Sequence, residues 1–182
     1  MIAGEFRSRR LKTLPGLALR PTPDRLREAL FNVLAPRIAG VTFLDAYAGS
    51  GSVGIEALSR GASHAVFVEK DFAAANMIRQ NLASLQIEDR ATVVQRASLA
   101  ALAEWDADIY FLDPPYTQPA EYRSILTLLG ERTLLGERTL PPQATVLVQH
   151  ARRFGIADAY SQLRRTRVLA HGDNAVSFFV VS

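Results

Sequence analysis

Apolar residues recur along the chain at two spacings, one typical of helices and one typical of strands. Leu26, Ala29, Leu30, Val33 and Leu34 are spaced so that they predict a helix with one apolar face. Short apolar runs predict strands at residues 41–44, 64–68, 91–94, 109–112 and 145–148, and helices are predicted at 53–60 and 71–85. Short strands separated by helices are typical of an α/β protein with a parallel sheet covered on both faces.

The last part of the chain has a different pattern. Residues 161–169 and 176–181 are strand-like, and the turn signal HGDN at residues 171–174 lies between them. This predicts an antiparallel hairpin that closes an otherwise parallel sheet. Phe178 and Phe179 point to opposite faces of the last strand, so we expect at most one of them to be buried centrally.

The composition excludes several classes of protein. The 182 residues have the length of one domain, and they include no cysteine. Disulfides, zinc–thiolate sites and a cysteine nucleophile are therefore excluded, and a reducing cytosol suits the chain. The sequence has no run of about 18 apolar residues, and charges stand where a signal peptide needs an apolar core. These features together predict a cytoplasmic protein. The three histidines show no metal-ligand spacing, so we also expect no metal site.

The net charge of +3 is distributed unevenly. Residues 1–40 carry eight basic and three acidic groups, whereas the remainder carries thirteen basic and fifteen acidic groups. Residues 1–20 contain Gly4, Pro15 and Gly16 around short mixed stretches, which predicts a small hairpin or arm outside the main sheet. A local basic segment attracts phosphate backbones, so this segment points to a nucleic acid partner.

A glycine-rich loop follows the first predicted strand. Gly49, Gly51 and Gly54 match G-x-G-x-x-G, which lets a ligand approach the backbone at a helix N-terminus. Glu69 ends the next strand, where a carboxylate can accept both hydroxyls of a ribose, so NAD and S-adenosylmethionine both fit. Asp45 would repel a pyrophosphate but attract the amino group of a methionine moiety. The pattern therefore favours S-adenosylmethionine.

A second candidate site, Asp113-Pro114-Pro115-Tyr116, directly follows the fourth predicted strand. The prolines stiffen the loop and leave it rich in carbonyl acceptors, which suits an amino group with two N–H donors. Hydrogen bonds from an exocyclic base amine to the Asp113 carboxylate and the Pro114 carbonyl would localise the nitrogen lone pair and would strengthen as positive charge develops there. Tyr116 offers a ring on which a flipped base can stack.

These motifs resemble the class I S-adenosylmethionine methyltransferases that modify exocyclic amines, and longer strings resemble the RsmD family. The strings are LRPTPDRLREALFN at residues 19–32, LDAYAGSGSVGIEALSRGA at 44–62, DPPY at 113–116 and GDNAVS at 172–177. The resemblance implies methyl transfer to N2 of a guanine in 16S rRNA. It implies a single domain over residues 1–182, with residues 1–20 as a basic hairpin. It also implies a Rossmann-like seven-stranded sheet in the order 3-2-1-4-5-7-6, with the last strand antiparallel.

The resemblance also assigns residues to roles. The residues expected to bind S-adenosylmethionine are Asp45, Ala48, Gly49, Ser50, Gly51, Gly54, Glu69, Lys70, Ala97 and Ser98. The residues expected at the catalytic site are Asp113, Pro114, Pro115 and Tyr116. The residues expected to bind RNA are Arg7, Arg9, Arg10, Lys12, Arg20, Thr22 and Arg25. Thr22 also fits a second role, as the N-cap of a helix whose first residue is Pro23.

Several alternatives stay open at this point. Asp-Pro-Pro-Tyr also serves DNA adenine-N6 methyltransferases, although 182 residues leave little room for a target-recognition domain. An NAD-dependent dehydrogenase and a non-catalytic RNA-binding assembly factor are further alternatives. The substrate is expected to be 16S rRNA within a small ribosomal subunit or an assembly intermediate, bound by a monomer away from membranes. The string TLLGER is duplicated at residues 127–138, near a predicted helix end, and we assign it no function.

Overall fold

A computed structural model describes residues 1–13, 22–132 and 139–182 of the chain. The strands are β1 (Thr42–Asp45), β2 (His64–Val68), β3 (Ala91–Val94), β4 (Ile109–Leu112), β5 (Thr145–Ala151), β6 (Ala159–Tyr160), β7 (Leu163–His171) and β8 (Asn174–Val181). The α-helices are α1 (Asp24–Leu34), α2 (Ser52–Ser59), α3 (Phe72–Leu85), α4 (Ser98–Glu104) and α5 (Pro119–Arg132). Arg20 and the second copy of TLLGER lie outside the described residues.

The eight strands form one sheet in the order β3-β2-β1-β4-β5-β8-β7-β6. Strands β1 to β5 pair in parallel, and β8 runs antiparallel to both β5 and β7. The predicted order and the antiparallel last strand are therefore confirmed. The described residues form eight strands, one more than the seven predicted, because β6 adds a two-residue strand beside β7. A strand this short has no apolar periodicity that a sequence pattern could reveal.

Helices cover both faces of the sheet. One apolar cluster joins α1, α2 and α3 to one face, and a second joins α4 and α5 to the other. Phe178 belongs to the first cluster and Phe179 to the second, and both are buried. The expectation that at most one is buried centrally was wrong, because the sheet remains covered on both faces out to β8. No helix in the described part of the chain has the length and apolarity needed to cross a membrane.

The N-terminal segment, predicted to be a small hairpin or arm over residues 1–20, is described as far as residue 13. Residues 1–13 contain turns but no strand. The chain reverses at Gly4–Ser8, and the Met1 amino group donates to the Arg9 carbonyl at 2.6 Å. The segment is held to α2 because the buried Glu56 carboxylate accepts the N–H groups of Ile2 and Ala3. The backbone N–H groups of the segment thus donate to helix side chains and to carbonyls within its own turn, and not to a neighbouring strand.

Candidate functional site

The loop between β1 and α2 contains two glycines in the left-handed region. Gly49 has φ +52° and Gly51 has φ +77°, a conformation that side chains rarely adopt. Gly51 is the last residue before α2, and its N–H donates to the carbonyl of the buried Ala48 at 2.7 Å. The two glycines therefore let the chain turn sharply from the strand into the helix.

Gly54 has a different role, because it lies in the first turn of α2 against β2. A Cβ built there would come within 2.3 Å of Cε1 of Phe67. Only a residue without a side chain lets α2 approach the sheet this closely. The three glycines of the motif thus act through backbone conformation at Gly49 and Gly51 and through packing at Gly54.

Asp45, the last residue of β1, is buried beneath this loop with 1% of its surface exposed. Its Oδ2 accepts the Gly54 N–H at 3.1 Å, whereas its Oδ1 is buried and has no hydrogen-bond partner among the described residues. Burial is the largest cause of a rise in the pKa of Asp45 to about 7; the negative charge of Glu69 acts in the same direction, and the backbone N–H groups of Gly54 and Tyr47 act against it. The site thus contains a buried acceptor atom that lacks a donor.

Glu69 follows β2 directly and reaches across to the glycine loop. Its Oε2 accepts the Gly49 N–H at 3.0 Å, and its Oε1 accepts the Asp71 N–H at 2.9 Å. Glu69 is half-buried, and Lys70 next to it is exposed. The structure therefore brings together the loop and the carboxylate that the sequence motif separates by 20 residues.

The segment after β3 completes this side of the site. The Ser98 hydroxyl donates to the carbonyl of Ala46 at 2.6 Å, which ties the start of α4 to the end of β1. Ala97 precedes α4 and is exposed. Phe72 and Leu99 begin the first turns of α3 and α4, and their side chains are 68% and 39% exposed. Exposed apolar groups therefore follow both β2 and β3, close to Lys70 and to Ala97 and Ser98, which are expected to bind S-adenosylmethionine.

The Asp-Pro-Pro-Tyr loop follows β4, and hydrogen bonds connect it to β5, β8 and α5. Asp113 Oδ2 accepts from Nε2 of Gln149 at 3.0 Å, and the Tyr116 hydroxyl donates to Oδ1 of Asn174 at 3.0 Å. The Pro114 carbonyl accepts the Tyr122 hydroxyl at 3.0 Å. Burial and the Asp113 charge raise the pKa of Tyr122, so its hydroxyl keeps the proton that it donates. A carbonyl oxygen has two lone pairs, so Pro114 retains capacity for a second donor.

The strand register places the two candidate sites side by side. Asp45 of β1 pairs with Phe111 of β4, and the Ala46 N–H donates to the Phe111 carbonyl at 2.9 Å. Asp113 lies two residues beyond Phe111, so Asp45 and Asp113 occupy the same carboxyl edge of the sheet. Ligands of open α/β sheets bind at this edge.

The residues expected to bind RNA do not share one environment. The members that the structure places on the surface are Arg7, Arg9, Arg10, Lys12 and Arg25. The buried Asn81 connects the N-terminal segment, residues 1–13, to the glycine loop. Its Oδ1 accepts the Lys12 N–H at 2.8 Å, and its Nδ2 donates to the Ser50 carbonyl at 3.3 Å.

Thr22 differs from both of its expected roles. It is only 5% exposed, and its hydroxyl donates to Oε1 of Gln149 at 2.9 Å. Helix α1 begins at Asp24, and its N-cap residue Pro23 makes no side-chain cap hydrogen bond. Neither the predicted cap nor surface contact with RNA is supported, because the side chain points into the protein.

Sequence reasoning missed four residues at this edge: Gln149, Asn174, Arg152 and Arg153. Gln149 and its neighbour His150 are polar residues buried in a strand that is mostly apolar, which is a detectable signal for a special role. Asn174 lies in the GDNAVS string, where it was interpreted only as part of a turn. Arg152 and Arg153 are exposed directly after β5, and the Arg152 N–H donates to the Asp173 carbonyl at 2.8 Å beside Asn174.

The fold and the site define the class of S-adenosylmethionine-dependent methyltransferases: a Rossmann-like sheet with a glycine loop after β1, a carboxylate after β2 and Asp-Pro-Pro-Tyr after β4. The family model described as "Conserved hypothetical protein 95" matches residues 1–180. The chain belongs to this family, which is the RsmD family. Within the described residues, no group of three or more His, Asp or Glu side chains could hold a metal ion.

Individual relatives agree with this assignment. The protein YlbH of Bacillus subtilis is 34% identical over 184 residues, which cover 98% of this chain and 97% of YlbH. Ribosomal RNA small subunit methyltransferase D of Haemophilus influenzae is 44% identical over 121 residues, which cover 64% of this chain and 63% of that protein. The solved structure of yhhF from Escherichia coli has a TM-score of 0.85 and 33% identity, and the match covers 100% of this chain and 97% of that one.

Proposed function

We propose that this protein transfers a methyl group from S-adenosylmethionine to the exocyclic N2 amine of a guanine in 16S ribosomal RNA. The observation that carries the proposal is the position of the Asp113–Tyr116 loop beside Asp45 on one edge of the sheet, in a chain of the RsmD family. The relative from H. influenzae, which is named a ribosomal RNA small subunit methyltransferase, supports RNA as the substrate.

The residues present fit the cofactor. No donor in the described part of the chain reaches the buried Asp45 Oδ1, which suits the amino group of the methionine moiety. Glu69 faces the glycine loop, where its carboxylate would accept ribose hydroxyls, and Ala97 and Ser98 would border the adenine. The rest of the proposed binding set is Ala48, Gly49, Ser50, Gly51, Gly54 and Lys70. Bound S-adenosylmethionine supplies an electrophilic methyl group on its sulfonium.

The loop after β4 would hold the target amine. The Asp113 carboxylate and the Pro114 carbonyl would each accept one N–H of the amine, which keeps its lone pair on nitrogen. Both hydrogen bonds strengthen as positive charge develops on the nitrogen, and this differential binding is what accelerates a reaction. Tyr116 would stack on the flipped guanine, and Pro115 stiffens the loop between them.

Two groups of arginines would bind the RNA backbone around this pocket. Arg7, Arg9 and Arg10 lie on the N-terminal segment, which Asn81 connects to the glycine loop through Lys12. Arg25 lies in the first turn of α1, and we add Arg152 and Arg153 at the end of β5. We further propose that the protein acts as a monomer in the cytoplasm, on 16S rRNA within a small ribosomal subunit or an assembly intermediate.

The Asp113→Ala variant tests the proposal. We expect wild-type protein to form N2-methylguanosine in 16S rRNA from a strain that lacks the equivalent enzyme, as measured by mass spectrometry of RNA digests. Asp113→Ala should lose this activity while its affinity for S-adenosylmethionine stays nearly unchanged by calorimetry. Asp108→Ala is the matched control, because Asp108 also binds one N–H, from Thr42, but at the opposite edge of the sheet.

The substrate is varied in the same assay. Naked 16S rRNA, isolated small subunits and duplex DNA are each offered with labelled S-adenosylmethionine. Labelled N6-methyladenine in DNA with no label in rRNA would replace the proposal by the DNA alternative. Full activity of Asp113→Ala on rRNA would refute the assigned mechanism.

A further inference from the structure

A chain of two hydrogen bonds leads from the start of α1 to the Asp-Pro-Pro-Tyr loop. The Thr22 hydroxyl donates to Oε1 of Gln149 at 2.9 Å, and Nε2 of Gln149 donates to Oδ2 of Asp113 at 3.0 Å. Thr22 is 5% exposed and Gln149 is 2% exposed, so water has little access to compete for these bonds. Buried hydrogen-bond networks of this kind restrict the side chains that they join.

The backbone brings these residues together through strand pairing. Leu112, the last residue of β4, pairs with Val148 of β5. The residues that follow them in sequence, Asp113 and Gln149, therefore lie level with each other. Thr22 is 127 residues away from Gln149 in sequence and reaches it from the segment before α1. The contact therefore depends on the docking of α1 onto the sheet.

The chemistry of Thr22, Gln149 and Asp113 determines which group donates and which accepts in each of the two hydrogen bonds. An ionised Asp113 carboxylate only accepts hydrogen bonds, so the Gln149 amide must turn its NH2 group toward it. The amide oxygen then faces Thr22, whose hydroxyl must donate to it. The reverse orientation would place the amide oxygen about 3.0 Å from a carboxylate oxygen, with two acceptors facing each other. The Asp113 carboxylate therefore sets the orientation of the amide, and the Thr22 hydroxyl holds the amide oxygen in that orientation.

We propose that Gln149 is a positioning residue that fixes the plane of the Asp113 carboxylate for the target amine, and that Thr22 fixes Gln149 in turn. The proposal rests on the function proposed above, in which Asp113 accepts an N–H of the guanine. Holding Asp113 matters because a displacement of about 1 Å at a reacting group can cost about 100-fold in rate. Neither Thr22 nor Gln149 touches the substrate in this assignment.

Isosteric variants separate positioning from folding. Thr22→Val removes the hydroxyl at constant volume, whereas Thr22→Ser keeps the hydroxyl. Gln149→Leu removes the whole amide. Thr92→Val is the matched control, because the Thr92 hydroxyl also makes a 2.9 Å hydrogen bond, to His64, but at the amino edge of the sheet.

The main readout is the single-turnover rate of rRNA methylation at saturating cofactor, together with cofactor affinity and Tm. We expect Thr22→Val to slow methylation about tenfold and Gln149→Leu about 100-fold, with cofactor affinity within about twofold of wild type. Thr22→Ser should restore the wild-type rate, and Thr92→Val should keep it. The double variant Thr22→Val/Gln149→Leu should be no slower than Gln149→Leu, because both changes break the same chain.

A nitrogen–proton NMR spectrum tests the hydrogen bonds among Thr22, Gln149 and Asp113 without any methylation assay. The Gln149 side-chain NH2 signals, assigned by their absence in Gln149→Leu, should exchange slowly with solvent in wild type and rapidly in Thr22→Val. Fast exchange in wild type would overturn this proposal even if rRNA is methylated. Slow exchange in a protein that leaves rRNA unmethylated would overturn the proposed function instead. A wild-type methylation rate in Thr22→Val, or equal losses in Thr22→Val and Thr92→Val, would also overturn the positioning role.

Discussion

Replacing Asp45 by Asn should make the protein more stable at alkaline pH while it abolishes binding of S-adenosylmethionine. Burial raises the pKa of Asp45 from 3.8 to about 7 in the folded protein. Between these two values the folded chain binds a proton that the unfolded chain has released. The free energy of unfolding therefore falls as the pH rises through this window, and the full penalty applies above about pH 7.

The size of the effect follows from the shift. One pKa unit corresponds to about 1.4 kcal/mol, so a rise of about three units destabilises the folded protein by roughly 4 kcal/mol at pH 8. An amide is nearly isosteric with the protonated carboxyl group but buries one additional N–H, which costs about 1–3 kcal/mol without a partner. We therefore expect Asp45→Asn to gain about 2 kcal/mol at pH 8, or about 4–8 °C in Tm for a chain of this length.

Urea unfolding at pH 5, 6.5 and 8 measures the prediction, and calorimetry measures cofactor binding. The gain should be largest at pH 8 and should disappear at pH 5, because the penalty that remains there, about 1.6 kcal/mol, is no larger than the cost of the additional buried N–H. Asp108→Asn is the control, because Asp108 is exposed and its replacement should bring no gain that grows with pH. A variant that is no more stable than wild type at pH 8, or equally stabilised at every pH, would contradict the reasoning. Tight cofactor binding by Asp45→Asn would contradict the role of Oδ1.

Two further predictions concern packing and RNA. Gly54→Ala should destabilise the protein by about 1–3 kcal/mol in urea unfolding, because the new Cβ collides with Phe67. Gly155→Ala is the control and should have little effect, because a Cβ at Gly155 meets nothing within 4 Å. Replacing Arg152 and Arg153 by Ala should weaken RNA binding and reduce the slope of log K against log salt by about 1 per lost phosphate contact, with cofactor affinity unchanged. An unaltered salt slope in binding assays would remove these arginines from the RNA interface.

The sheet could be predicted from the sequence because its central strands are buried on both faces. Such strands are continuous apolar runs, and the predicted ranges 64–68 and 109–112 match β2 and β4 residue for residue. The range 91–94 also matches β3, which is an edge strand of the sheet. Strand β5 extends three residues further than predicted, through Gln149, His150 and Ala151. The polar pair Gln149-His150 interrupts the apolar run, so the pattern ended where the functional part of the strand begins.

The loops of the candidate site could also be predicted, because their chemistry is local. Asp45, the glycine loop and Asp113 are each recognisable within a few residues of a strand end. The role of Thr22 could not be predicted, because its partner lies 127 residues away and only the docking of α1 brings the two together. A local pattern makes Thr22 a helix cap, whereas the packed structure places its hydroxyl against a buried amide.

The carboxylates of Asp45 and Asp113 differ in their hydrogen-bond partners, and this difference fits Asp45 to binding the cofactor and Asp113 to holding the target amine. Asp113 is held by protein donors, since Gln149 occupies its Oδ2 and Thr22 supports Gln149. Asp45 is buried more deeply, yet its Oδ1 has no donor among the described residues, and its pKa is raised accordingly. A buried carboxylate with one oxygen atom left without a donor destabilises the folded chain, so its presence at the end of β1 needs a compensating partner. A cationic ligand provides that compensation only when bound, which makes Asp45 the residue where cofactor affinity and stability of the unliganded protein oppose each other.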